Sequence, residues 1–149
     1  MRIALPLFIL AALLGGTAGL ARGAEASSDV VDQDYVLALH TVNRFLCAWT
    51  MRSQEEGLQL LSPSVKRRFS EENLRMYIAG ISNPHHTAFE VGRGRRLDTK
   101  HYAFGVTLYE HYTGQKWSRK KPGPLKLVVV QISPEEWLVD ELPGLTTEP

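Results

Sequence analysis

Residues 34–52 read DYVLALHTVNRFLCAWTMR. Tyr35, Leu39, Val42, Leu46 and Trp49 recur there at spacings of four and three, with Ala38 and Phe45 beside them, so one apolar stripe runs along a helix. Asp32 or Asp34 can cap its start, and a carboxylate there also favours the positive end of the helix dipole. At 1.5 Å per residue such a helix is roughly 28 Å long, enough to cross a small sheet. Trp49, at the end of the stripe, is the expected core anchor.

Residues 54–61 predict a second, shorter helix, with Leu58 and Leu61 inward and Gly57 as a weak point in its middle. Ser62-Pro63 ends it and opens another helical turn over 64–69, since proline suits the first helical position. Ser70-Glu71-Glu72 starts a further helix through Ala79, with Leu74, Tyr77 and Ile78 on its apolar face and Gly80 at its end. Asn83-Pro84 then leads into extended chain.

From residue 85 the apolar period falls from about 3.6 to 2. Segments 86–93, 101–113, 125–132 and 137–142 predict four strands joined by short connections that suit an antiparallel meander. Helices ahead of such a sheet predict one α+β domain over residues 34–143, the long helix packed across one face of a curved, mainly antiparallel sheet.

Outside that domain, residues 1–26 have a positively charged start at Met1-Arg2, an apolar stretch of about a dozen residues and a small-residue site at Ala24-Glu25-Ala26, the order of a secretory leader. The apolar stretch falls short of the roughly 20 residues that a spanning helix needs. The expected product is exported, periplasmic or secreted, with no stable membrane anchor after cleavage. Residues 27–33 are expected to be flexible and 144–149 a disordered tail.

Cleavage after Ala26 removes Arg2, Arg22 and Glu25 from the 17 basic and 16 acidic residues, which leaves the mature chain without net charge. Nucleic-acid binding rests on many uncompensated contacts to phosphate, so no such partner is expected. Basic clusters at Arg93, Arg95, Arg96 and Lys100 and at Lys116, Arg119, Lys120 and Lys121 read as solvated turns. Cys47 is the only cysteine, so no intramolecular disulfide can form. Its place in the helical repeat near Leu46 and Trp49 predicts a buried structural thiol.

Of the five histidines, His85-His86 reads as a surface turn whose two side chains point to opposite faces, and neither has a metal partner at ligand spacing. No cofactor or metal motif is present. Phe104, Val106 and Leu108 share one strand face, and Glu110 and Tyr112 continue that row towards the sheet edge.

The stretch FLCAWTMRSQEEGLQLLSPSV at 45–65, followed by a sheet closing on EEWLVDELP at 135–143, resembles the NTF2-like superfamily, the cystatin-like α+β roll, and in particular its small exported bacterial members. The resemblance covers residues 34–142. It implies a cone-shaped pocket between the helices and a concave sheet, and often a dimer through the other sheet face. Its members include ketosteroid isomerase, polyketide cyclases, dehydratases and binding modules, and no catalytic residue carries over to this chain.

Tyr77, Glu110, Tyr112 and Trp137 are the candidate pocket residues. The expected function is an exported, non-catalytic binding or assembly module, its pocket filled by its own side chains or holding a small apolar ligand. The alternative is a cofactor-free pocket enzyme of isomerase, cyclase or dehydratase type, working through Glu110 with Tyr112 or Tyr77. Segment 125–132, LKLVVVQI, is apolar on both alternating faces, so a homodimer through the sheet is expected to cover the face the helix leaves open.

The exported form should begin near residue 27. Intact mass or N-terminal sequencing checks this, and a chain retaining Met1 in the membrane fraction would refute it.

Overall fold

A computed structural model describes residues 32–80, 84–112, 114, 116 and 120–145. The expected leader at 1–26, residues 27–31 of segment 27–33 and residues 146–149 lie outside the described residues. Four helices come first: α1 (Gln33–Met51), α2 (Gln54–Gln59), α3 (Pro63–Arg68) and α4 (Glu71–Ala79). Strands β1 (Pro84–Val91), β2 (Arg95–Arg96), β3 (His101–Tyr112), β4 (Leu125–Ser133) and β5 (Glu136–Glu141) follow. The fold class is α+β, as the switch in period predicts. No helix among the described residues is long and apolar enough to cross a membrane.

Asp32 caps α1, its carboxylate accepting from the Tyr35 amide at 3.3 Å. The helix ends at Arg52, whose φ of 58° is left-handed and whose amide reaches the Ala48 and Trp49 carbonyls. Ser62 and Ser70 cap α3 and α4 through their side chains. Along α1 the buried positions are Ala38, Thr41, Val42, Phe45, Leu46, Ala48 and Trp49. Ala38, Val42, Phe45 and Leu46 form one cluster with Phe104 and Val106 of β3, Leu127 and Val129 of β4 and Val139 of β5, all fully buried.

The strands pair antiparallel in the order β1-β3-β4-β5, so the sheet has five members where four are predicted. The fifth, β2, forms because the chain leaves β1, turns at residues 92–94 and pairs with β3 again at Ala103 and Tyr102. Gly94 makes this turn possible. A Cβ there would stand 2.4 Å from the Phe104 ring, closer than any side chain permits.

Two other expectations change. Gly57 is a contact point rather than a weakness, because α2 crosses α4 so closely that a Cβ would lie 2.8 Å from Ile78. Cys47 is exposed, not buried. Phe45, Leu46, Ala48 and Trp49 all turn inward, and at about 100° per residue the position between them faces outward.

The free edge of β5 is covered from within the chain. The Ser62 amide donates to the Val139 carbonyl and the Val139 amide to the Leu60 carbonyl, each at 2.8 Å, so the α2–α3 connection adds one parallel bridge. Ser62 Oγ also donates to Asp140 at 2.6 Å. An unpaired strand edge invites association, and these bonds occupy part of it. At the chain end, Pro143 is buried and Leu145 packs against the core.

Replacing Trp49 with alanine should cost about 3–5 kcal/mol, the range for large aromatic side chains in cores. Denaturant unfolding measures it, and a loss below about 1 kcal/mol would contradict the packing described.

Candidate functional site

Because side chains alternate along a strand, the inward row of β3 runs Phe104, Val106, Leu108, Glu110, Tyr112. The first two are buried, Leu108 is half-buried, and Glu110 and Tyr112 come out beyond the end of α1. There the wall is completed by Met76 and Tyr77 of α4, Trp49 of α1 and the Pro122–Leu125 and Pro143–Gly144 segments. The result is an open cleft of about 720 Å³ with largely apolar walls.

His86 reaches this cleft through an irregularity in β1. Phe89 and Val91 face inward opposite Leu108 and Val106, and strict alternation would turn Thr87 and His85 the same way. A bulge between His86 and Ala88 breaks the alternation and places His86 opposite Glu110. Thr87 instead donates its hydroxyl to the Tyr109 carbonyl at 2.8 Å. His86 is therefore a buried residue of the sheet and not part of a surface turn. His85, exposed, takes a contact from Arg52 at 3.2 Å.

The His86 ring stacks on Trp49, with centroids 3.5 Å apart and planes 10° from parallel. Its Nδ1 lies 2.7 Å from the Trp49 carbonyl, which can only accept, so Nδ1 carries a proton and donates it. Nε2 points at Glu110 Oε1, 3.5 Å away. Glu110 Oε2 accepts the Tyr112 hydroxyl at 3.1 Å, and Tyr77 donates its hydroxyl to the Pro143 carbonyl at 2.8 Å.

Burial pushes the His86 pKa below its ordinary 6.5, against the Trp49 carbonyl and Glu110, which both favour the cation. His86 is thus neutral at neutral pH. Tyr77 is raised well above the usual phenol value, chiefly by burial and then by the charge of Glu110. Tyr112 is raised by its hydrogen bond to Glu110. Both phenols stay protonated.

Tyr77, Glu110 and Tyr112 thus share one cleft, and Trp137 does not. Trp137 is buried in the core, its ring 5.6 Å from Tyr102 and its carbonyl accepting from Thr41 at 3.1 Å. Its indole Nε1–H meets no acceptor among the described residues. Two contributors escape sequence reasoning. Trp49 reads as core alone, and His86 faces the cleft only because of a bulge that no residue pattern announces. Among the described residues no three of His, Cys, Asp or Glu gather into a metal-ligating group.

No protein-family model matches the chain, and no curated protein sequence does.

The neutral His86 gives stability a pH dependence of known sign. Above 6.5 the imidazole is neutral folded or unfolded, and burial costs no deprotonation. As pH falls below 6.5 the unfolded chain takes up a proton that the folded one resists, so stability declines until pH passes the folded pKa. Asp32 and Asp98 are held below their ordinary value, chiefly by the Tyr102 hydroxyl and the Lys100 amide respectively, so they lose their contributions only in more acid solution. Denaturant unfolding between pH 7.5 and 5 should show the decline, and His86→Gln should flatten it; an equal slope in both proteins would contradict the assignment.

Proposed function

We propose that the chain is an exported, non-catalytic binding module whose cleft receives a small molecule with an apolar body. The observation that carries this reading is the cleft itself, walled by Met76, Tyr77, Leu108, Leu125 and Pro143 and carrying its polar side chains at one end. Its size and its mixture of apolar wall and a few convergent polar groups are those of a ligand site. The leader-like segment 1–26 supports export. We read the architecture as an NTF2-like roll, a reading supported by helices that pack on one sheet face and a cleft at one end of the inward row of β3.

A pocket enzyme is the second reading, favoured by the run from His86 through Glu110 to Tyr112. Two features weigh against it. Glu110 has about a third of its side chain exposed, unlike the sequestered carboxylate that cofactor-free proton abstraction exploits. Both phenols are held in the protonated form, and Tyr77 already donates to Pro143.

The proposal includes a homodimer through the outer sheet face. The described helices cover Leu127 and Val129; on the other face Val128 is buried within the single chain, Val130 is half-buried and Ile132, at 48% exposed, presents its side chain to solvent. A second copy with the same patch is the commonest cover for such a face.

Leu125 lines the cleft and is 40% exposed, so Leu125→Glu can be made without disturbing the core. It should abolish displacement of a neutral apolar dye by small amphiphiles and leave thermal unfolding within about 2 °C of the parent. Retained binding would remove the cleft reading. In sedimentation the parent should run as a dimer and Val130→Asp as a folded monomer, whereas a monomeric parent at high micromolar concentration would remove the dimer.

A further inference from the structure

From the hydrogen-bond inventory of the cleft, and resting on the proposal that the cleft holds a ligand, we infer that its ligand is a protonated primary amine on an apolar body, held at Glu110 and His86. Among the described side chains lining the cleft, the phenol donors and the imidazole Nδ1–H are already committed. The Tyr112 hydroxyl donates to Glu110, the Tyr77 hydroxyl to the Pro143 carbonyl and the His86 Nδ1–H to the Trp49 carbonyl.

Acceptors remain. Glu110 carries two oxygens with lone pairs beyond those used by Tyr112, and the neutral His86 presents the lone pair of Nε2. These face each other at 3.5 Å. The imidazole side chain is 1% exposed, so water cannot freely satisfy it. A group that brings N–H bonds can satisfy both atoms together.

Charge selects among the possible donors. The lining side chains of the described residues include one carboxylate and no lysine or arginine; Arg52, whose charge is felt at His86, lies outside the lining against His85, so at Glu110 the cleft favours a cation over an anion. Lys121, beside the lining Pro122, is bonded to Glu90. Tyr77 and Tyr112 flank the carboxylate and add aromatic rings of the kind that attract an ammonium. The apolar walls take the rest of the molecule.

The test is a matched series of hexylammonium, 1-hexanol and hexanoate, titrated into the protein at pH 7.5 and followed by amide chemical shifts. Hexylammonium should bind about tenfold tighter than 1-hexanol, with hexanoate weakest, as a partly desolvated charge-assisted contact implies. Glu110→Gln, a change at an exposed position, should bring ammonium and alcohol to within about twofold of each other. Equal affinities in the parent, or hexanoate as the tightest, would overturn the amine inference while leaving the cleft as a ligand site. An ammonium preference that survives Glu110→Gln would overturn it as well. Failure of all three to bind would overturn the cleft proposal itself.

Discussion

Everything in this domain depends on burying the apolar stripe of α1 against one face of the sheet. A single helix of this length is marginal in water, and its Asp32 cap contributes only about 1 kcal/mol. Val42, Phe45, Leu46 and Trp49 are each 0–1% exposed, and each contributes about 1.5–3 kcal/mol on leaving water. Packing therefore decides the helix and capping trims its start. The sheet gains by the same contact, because β3, β4 and β5 would otherwise expose Phe104, Leu127 and Val139.

The two ends of α1 are anchored differently. At its start, Asp32 accepts the Tyr102 hydroxyl and pairs with Arg96, which also reaches Asp34 at 3.1 Å and lies over the Tyr102 ring. Asp34 in turn accepts from Gln131 of β4 at 3.3 Å. These polar links join the helix start to the sheet at a place where solvent still reaches several of the partners. At its other end the link is a stack. Trp49 lies under His86 and offers it a carbonyl, so a core residue also orients the imidazole of the cleft. The polar end of the cleft thus follows from where the apolar stripe stops.

One irregular residue separates a plain sheet edge from a chemically distinctive cleft. With perfect pairing β1 would turn Thr87 inward and leave the imidazole of His86 on the outer face. The bulge reverses that choice, at the cost of burying an imidazole whose one committed proton goes to a backbone carbonyl. What remains is an acceptor directed at a carboxylate, an arrangement with little value for stability.

The sequence by itself determined the class of fold, the long helix with its inward stripe, the capped short helices and four of the five strands. It also placed Glu110 and Tyr112 on the inward row with Leu108. These are consequences of periods of 3.6 and 2 and of local capping chemistry, which act over a few residues. Tertiary structure decided the rest. Whether Gly57 is weak depends on how near Ile78 comes, and Cys47 faces outward because its neighbours claim the inward positions. Trp137 joined the core rather than the cleft because β5 lies beside β4 at the Tyr102 end. His86 entered the site because β1 slips by one residue against β3. Register and close approach are set by partners distant in the chain, so no local pattern of residues can carry them.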